Sequence, residues 1–159
     1  MKVSIISVGK LKEKYLKEGI AEYSKRLSRY CTIEMIEVAD EKCPETLSEA
    51  DQLIIKEKEA ERISARIKDN SYIVTLEIGG KEFSSEKLAS KIESITTGGQ
   101  SHITFVIGGS LGLAGSITQK SNLALSFSPM TFPHQLMRLI LLEQIYRSFR
   151  IIRNEPYHK

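Results

Sequence analysis

The residues best suited to chemistry lie in the last third of this chain of 159 residues. The chain closes on Asn154-Glu-Pro-Tyr-His-Lys159, where Tyr157 and His158 directly follow a proline. Histidine titrates near neutral pH and often serves as a general acid or base. Packing gives no reason for an aromatic pair beyond the last helix, so both residues are candidates for proton transfer. An ordinary frayed terminus is the alternative.

Two loops of the same region are candidates for ligand binding. The first, Gly108-Gly-Ser-Leu-Gly-Leu-Ala-Gly-Ser116, is rich in glycine, which lets a backbone approach a ligand closely. The second, Ser128-Pro-Met-Thr-Phe132, offers Met and Phe to sandwich a flat ring and exposed amides to read its edge. Each loop follows an apolar run typical of a strand. Because open α/β sheets bind ligands at the carboxyl ends of their strands, the two loops predict one binding site.

Other chemistry-bearing residues lack the spacing that their chemistry requires. Gly79-Gly80-Lys81-Glu82 has neither the upstream glycine nor the Ser or Thr of a phosphate-binding loop, and we interpret it as a strand-to-helix turn. Gly9 alone follows the first apolar run, so the dinucleotide fingerprint is missing. The three histidines are scattered, which predicts no metal site. We expect a structural role for His102, and for His134 a capping, surface or functional role stays open.

The hydrophobic pattern predicts alternating strands and helices. Strands are expected at 2–8, 32–38, 72–78, 102–107 and 123–127. Helices are expected between the first four strands and after the fifth: a stripe from Leu16 to Tyr30, a capping box at Thr46-Leu-Ser-Glu49 opening a helix to about Lys68, a helix capped by Ser84 or Ser85, and one from Pro133 to about Ile152. This alternation is typical of an α/β fold with a mostly parallel sheet and helices on both faces. With no linker or repeat in sight, we expect one domain over 1–159.

Composition is that of an ordinary globular protein, with 41% hydrophobic and 27% charged residues. A formal charge of +3 permits a nucleic-acid partner without requiring one. Cys31 and Cys43 form no C-x-x-C pair and suit reduced thiols. The short apolar run from Val3 to Val8 is neither a signal peptide nor a membrane span. We therefore expect a cytoplasmic protein that makes no membrane contact.

The predicted last helix points to partners in two ways. Its apolar residues cover a wider arc than one sheet face requires, and a second copy of the chain is the simplest way to bury the excess. Arg147, Arg150 and Arg153 also recur every three residues near its end. Three such cations beside a ligand loop suit an RNA phosphate backbone. Complementing the helix dipole is the alternative.

Several motifs run in order through the whole chain. They are Thr75-Leu-Glu-Ile-Gly-Gly-Lys81, Phe105-Val-Ile-Gly-Gly109 with Gly112-Leu113, Pro133-His134, Glu143-Gln-Ile-Tyr-Arg147 and Pro156-Tyr-His158. Together they resemble the ribosomal RNA large subunit methyltransferase H family, a branch of the SPOUT methyltransferases. One departure is Ser110-Leu111, where many members have Pro-Glu, so we expect no proton transfer from that loop.

The resemblance implies an enzyme that uses S-adenosyl-L-methionine (S-adenosylmethionine) to methylate N3 of a pseudouridine in 23S rRNA. It further implies a homodimer and a C-terminal trefoil knot. The 23S rRNA partner is expected within the assembled ribosome, and the sequence does not decide whether assembly is required. No metal is expected, because methyl transfer needs none and the chain has no cluster of metal ligands. Tyr157 and His158 are the groups best placed to accept or steer the N3 proton. The positions that the resemblance assigns to the cofactor are Leu76, Gly108, Phe127, Ser128, Pro129, Met130, Thr131 and Phe132. A non-catalytic RNA- or nucleotide-binding α/β module is the alternative, and a dinucleotide enzyme is disfavoured by the missing fingerprint.

Overall fold

A five-stranded parallel sheet forms the centre of the computed structural model, which describes all residues from Met1 to Lys159. The strands are β1 (Lys2–Val8), β2 (Thr32–Val38), β3 (Tyr72–Glu82), β4 (His102–Ile107) and β5 (Leu123–Ser126), in the spatial order β2-β1-β4-β3-β5. The helices are α1 (Lys14–Leu27), α2 (Glu49–Ser64), α3 (Ser85–Thr97), α4 (Gly115–Thr118) and α5 (His134–Ile152). The predicted fold class is confirmed. The trefoil knot stays a prediction.

Side chains of the sheet alternate between two cores because successive residues of a strand point to opposite faces. On one face Val3 and Ile5 join a cluster of 19 buried residues that α1, α3 and α5 cover. On the other face Ile6 and Val8 join a cluster of 8 that α2 and α4 cover. Both faces are therefore buried, which explains why the strands appear in the sequence as continuous apolar runs.

Two helix starts show how local capping set the boundaries. The prediction that α2 begins at a capping box on Thr46 is wrong, because Ser48 is the N-cap and accepts a hydrogen bond from the Asp51 amide at 3.1 Å. The helix also ends at Ser64, earlier than Lys68. For α3, Ser84 is the cap, with the Lys87 amide 3.1 Å from its hydroxyl. Because Ser48 can also cap a helix, α2 starts two residues later than a cap at Thr46 predicts.

The interpretation of Gly79-Gly80-Lys81 as a turn is wrong, because β3 continues through it to Glu82. Leu76 and Lys81 both pair with Leu125 of β5, so residues 77–80 form a bulge out of the ladder. A Cβ on Gly80 would lie 2.8 Å from the carbonyl carbon and oxygen of Ala124. The glycine is therefore required by close approach of two backbones. It does not mark a chain reversal.

Arg138 on α5 is a buried cation that the sequence pattern did not predict. Its side chain is 1% exposed. The guanidinium donates to the carbonyls of Val8 at 3.0 Å and Gly9 at 2.8 Å, and pairs with Glu37 at 2.8 Å. These partners end β1 and β2, so one side chain ties the first turns of α5 to the carboxyl ends of two strands. A buried charge needs such partners, because leaving it unpaired costs several kcal/mol.

Much of the wide apolar arc of α5 is buried within one chain. Leu141, Leu142 and Ile145 are fully buried in the larger core, and α5 packs between α1 and α3. This packing removes part of the surface on which the homodimer prediction was based, and the homodimer stays a prediction. None of the helices combines the length and the hydropathy that a bilayer span requires.

Replacing Arg138 by Met should lower the free energy of unfolding by about 3 kcal/mol, because two strand-end carbonyls lose their buried donor. Glu37 is nearly half exposed, and water can solvate it after the change. Urea denaturation of both proteins measures the difference. Arg66→Met is the matched control on an exposed arginine, expected within about 0.5 kcal/mol of the parent. Equal losses in the two variants would contradict a structural role for Arg138.

Candidate active site

A cleft of about 810 Å³ opens at the carboxyl ends of β3, β4 and β5. Its walls are the β3 bulge, the glycine-rich loop after β4, the loop after β5 and the first turn of α5. About half of the lining residues are hydrophobic, 10 of 21. Size, apolar walls and position at strand ends are those of a site for a nucleoside-sized ligand.

Seven of the eight predicted cofactor positions line this cleft. They are Leu76, Gly108, Phe127, Ser128, Met130, Thr131 and Phe132. Pro129 lies in the same loop but does not line the cleft. The structure therefore brings together residues from three separate segments that the sequence placed only by resemblance. Their contacts with a cofactor stay a prediction.

The loop after β5 is shaped by its own serines. The Ser126 hydroxyl donates to the Ser128 carbonyl at 3.2 Å, and the Met130 amide donates to the Ser128 hydroxyl at 3.0 Å. Met130 itself is 72% exposed, so the sandwich expected of Met and Phe is not preformed. The loop offers a fixed backbone and one side chain that is free to close over a ligand.

The glycine-rich loop folds back on itself. The Gly112 amide donates to the Gly109 carbonyl at 3.0 Å, and Gly112 has a positive φ of 84°. A Cβ on Gly108 would lie 2.8 Å from the carbonyl carbon of Gly112. Glycine at 108 is thus needed for closure of the loop. That it also lets a ligand approach stays a prediction.

Glu77 and His134 are the ionisable side chains that line the cleft, and no lysine or arginine does. The Thr75 hydroxyl donates to the Glu77 carboxylate at 2.6 Å. Burial, and then the nearby charge of Arg138, lower the pKa of His134 below its ordinary value. The imidazole is therefore neutral at neutral pH, because a depressed histidine pKa moves the titration further into acid.

The tail packs against α5 and does not line its own cleft. The Tyr157 hydroxyl donates to Glu143 at 3.1 Å, and its ring meets Tyr146 edge-on with centroids 4.9 Å apart. His158 contacts Glu86 through Nε2 at 2.8 Å and Arg147 through Nδ1 at 3.2 Å. The frayed-terminus alternative is wrong.

The tail and the cleft lie far apart along α5. Met137 is the last residue of α5 that lines the cleft, and Arg147, which contacts the tail, follows ten residues later. Ten residues of helix span about 15 Å. The structure therefore places Tyr157 and His158 on α5, away from the cofactor positions of the same chain.

Tyr157 is a hydrogen-bond donor in this position. Burial raises its pKa most, followed by the hydrogen bond with Tyr23 and the charge of Glu143. The phenol therefore keeps its proton at neutral pH and cannot act as a base where it lies. This leaves His158 as the candidate for accepting a proton.

Two of the three predicted RNA-binding arginines hold the tail. Arg147 binds Glu143 at 2.6 and 3.0 Å. Arg150 binds Glu155 at 2.6 Å and the Pro156 carbonyl at 2.8 Å. Arg153 is exposed, and its guanidinium lies 4.9 Å from the centre of the Tyr30 ring. Their RNA contacts stay a prediction, and Arg153 is the one without a carboxylate partner.

Sequence reasoning missed four charged residues near these sites. Arg138 ties α5 to two strand ends, Glu77 lies on the β3 bulge, and Glu143 accepts a hydrogen bond from Tyr157. Glu59 of α2 is 5% exposed, accepts from the Glu41 amide at 3.1 Å and lies beneath the glycine-rich loop. Burial raises the pKa of Glu59. None of these residues breaks the local pattern, and only the bulge could have been suspected from paired glycines inside a strand.

A parallel α/β sheet with a nucleoside-sized cleft at three strand ends defines a ligand-binding α/β protein. The family described as "Predicted SPOUT methyltransferase" matches residues 1–158. The chain therefore belongs to the SPOUT methyltransferase family, and the predicted family is confirmed.

Individual relatives show a more specific similarity than the family does. The chain is 63% identical to a protein of Finegoldia magna and 62% identical to one of Bacillus cytotoxicus, over 100% of both chains in each case. Both are named "Ribosomal RNA large subunit methyltransferase H". A solved structure of a "probable methylase family protein" from Haemophilus influenzae has a TM-score of 0.50 at 10% identity. It covers 96% of this chain and 66% of that chain, and it shows a similar fold.

Gly108→Ala should weaken S-adenosylmethionine binding by about tenfold or more, because the new Cβ must displace the Gly112 backbone and with it the cleft wall. Gly115→Ala is the matched control, since a Cβ there meets nothing within 4 Å and Gly115 lies outside the cleft. Isothermal titration calorimetry measures both affinities. Unchanged binding by the Gly108 variant would remove this loop from the site.

Proposed function

We propose that this protein transfers a methyl group from S-adenosylmethionine to N3 of a pseudouridine in 23S rRNA of the large ribosomal subunit. The observation that carries the proposal is the gathering of seven predicted cofactor positions around one cleft. Full-length similarity to relatives named ribosomal RNA large subunit methyltransferase H supports the class of substrate. The pseudouridine and its N3 atom come from the sequence resemblance and are the finer part of the proposal.

The cleft fits the cofactor in size and in chemistry. Apolar side chains such as Leu76 and Phe127 suit an adenine ring, and the loop backbones supply amides and carbonyls for its edge. Pro133 caps α5 without a side-chain hydrogen bond, so the amides of the first turn are available to a carboxylate. When bound, the cofactor supplies an electrophilic methyl group.

The remaining task of the protein is positioning and removal of one proton. Methyl transfer requires the attacking nitrogen and the leaving group to be in line, so a fixed orientation supplies much of the rate. N3 of pseudouridine is an imide nitrogen that must lose its proton. His158 is the proposed acceptor, and Tyr157, which stays protonated, is the proposed orienting donor.

A homodimer resolves the separation between tail and cleft. Within one chain Tyr157 and His158 are packed on α5, well away from the cofactor positions. We therefore propose that the tail of one subunit completes the cleft of its partner. Each active site would then draw its cofactor pocket from one chain and its proton acceptor from the other.

RNA is proposed to bind along the arginine-rich end of α5. Arg153 projects from this end with no carboxylate partner. Arg147 and Arg150 already bind Glu143 and Glu155, so a phosphate would compete with a carboxylate for each of them. Arg153 should thus contribute a simple electrostatic contact, whereas the other two also hold the tail.

The proposal is tested by incubating assembled ribosomes with the protein and radiolabelled S-adenosylmethionine. Digestion of the 23S rRNA and mass spectrometry should show one methylated pseudouridine. Binding of cofactor and RNA without methylated product would favour the non-catalytic module.

Deleting residues 156–159 should spare folding and cofactor binding but lower the single-turnover rate by about 10²-fold, the usual scale for a lost acid–base group. Glu155 is kept, so its pairs with Arg150 and Tyr30 survive. Deletion of Lys159 alone is the control. A truncated protein within about twofold of the parent rate would exclude a catalytic tail.

Arg153→Ala should reduce the slope of log affinity for RNA against log salt by about one, the share of a single phosphate contact. Affinity for the cofactor should not change. Arg66→Ala, on the exposed end of the α2 segment, is the control. An Arg153 variant with the parent slope would show that this arginine does not touch RNA phosphate.

A further inference from the structure

The β3 bulge aims one acidic side chain at the cleft. Leu76 and Lys81 share Leu125 as their partner, so Glu77 is the first residue to leave the ladder. Bulges next to binding sites commonly redirect a side chain. Glu77 lines the cleft beside Leu76, whereas Glu82, at the end of the same strand, does not.

A hydrogen bond from a buried hydroxyl fixes the position of the Glu77 carboxylate. Thr75 is fully buried and donates its hydroxyl proton to Glu77 at 2.6 Å. The same Thr75 oxygen lies 2.8 Å from the Ser121 hydroxyl, whose single proton it can accept once its own is given to Glu77. A buried hydroxyl that is itself held by a neighbouring hydroxyl therefore holds the carboxylate. Such a carboxylate is preorganised and needs little reordering to meet a ligand.

Glu77 gives the cleft an unbalanced charge. No lysine or arginine lines the cleft, and His134 is neutral at neutral pH. The nearby guanidinium of Arg138 is buried, does not line the cleft and pairs with Glu37 at 2.8 Å. Since half of the lining is apolar, a charge here acts through a medium of lower dielectric constant than water. The cleft therefore favours a ligand with one net positive charge.

We propose that Glu77 is a specificity-determining residue, whose carboxylate favours the cationic methyl donor over the neutral product of the reaction. S-adenosylmethionine carries a sulfonium in addition to its ammonium and carboxylate, and so has one net positive charge. S-adenosylhomocysteine lacks the sulfonium charge and is neutral overall. The two molecules otherwise share adenine, ribose and amino-acid groups, so a carboxylate that senses net charge separates them. The inference rests on the proposed cofactor.

This preference has a consequence for turnover. Loss of the methyl group removes the positive charge, and with it the attraction to Glu77. The product is then held less tightly than the substrate cofactor, which favours exchange. Thr75 acts through Glu77 and is a positioning residue.

Calorimetric titration of the full-length protein with both ligands tests the proposal. Glu77→Gln keeps the size of the side chain and an oxygen that can accept from Thr75, but removes the charge. We expect affinity for S-adenosylmethionine to fall about tenfold, the scale of one interaction with a charged group, and affinity for S-adenosylhomocysteine to change by less than about twofold. Glu82→Gln, an equal change on the same strand outside the cleft, should alter neither affinity.

The other outcomes would overturn the proposal in different ways. An equal loss for both ligands would show that Glu77 binds a group common to them, and would overturn its role in discrimination. Unchanged affinity for both would remove Glu77 from cofactor recognition altogether. If the unaltered protein bound neither ligand, the proposed cofactor itself would be wrong, and this result is distinct from the first two.

Discussion

The buried guanidinium of Arg138 is the constraint on which the geometry of the site depends. It holds the carbonyls that end β1 and the Glu37 carboxylate at the end of β2. Glu37 also accepts from the Leu11 amide at 2.6 Å, so the segment after β1 is tied to the same point. Because α5 is rigid, fixing Arg138 also fixes His134 and Met137, which form one wall of the cleft. An apolar side chain could fill this space but could not set the direction of α5 against two strand ends.

The same rigidity separates two tasks along α5. Its first turn borders the cofactor cleft, while its last turns carry the partners of the tail. Glu143 and Glu86 receive Tyr157 and His158, and the short distances between these groups hold the tail in one arrangement. Since α5 keeps its two ends apart, a chain cannot bring its own tail to its own cleft without breaking those contacts. In the proposed homodimer, the partner subunit would offer the tail without that cost.

The sequence was sufficient to predict the strands and helices whose hydrophobic pattern is local. Five apolar runs predicted five strands, and all five strands form at or within a few residues of the expected positions. The Gly79-Gly80 pair was misinterpreted because paired glycines mark turns and bulges alike, and only the register against Leu125 distinguishes them. Arg138 was missed because a charged residue on a helix usually faces water, and its burial depends on residues distant in the chain.

The candidate site was likewise predicted only in part from the sequence. Motif resemblance predicted the cofactor positions, and seven of the eight line one cleft. It could not predict that Arg147 and Arg150 bind the tail, because the contacts with His158, Glu155 and Pro156 depend on how the chain folds back after α5. The resemblance also could not predict the charge of the cleft. That charge follows from Glu77 and from the absence of lysine and arginine in the lining.

Co-expression of two defective chains tests the shared active site most directly. One chain carries Gly108→Ala in the cleft, and the other lacks residues 156–159. At a cofactor concentration well below the Kd of the Gly108 variant, each chain alone should form dimers with little methylation activity. In an equal mixture half of the dimers contain both chains, and each such dimer has one complete site, so about a quarter of the parent activity should return. Activity no higher than that of the separate chains would contradict the account and place the tail and the cleft of each site in the same subunit.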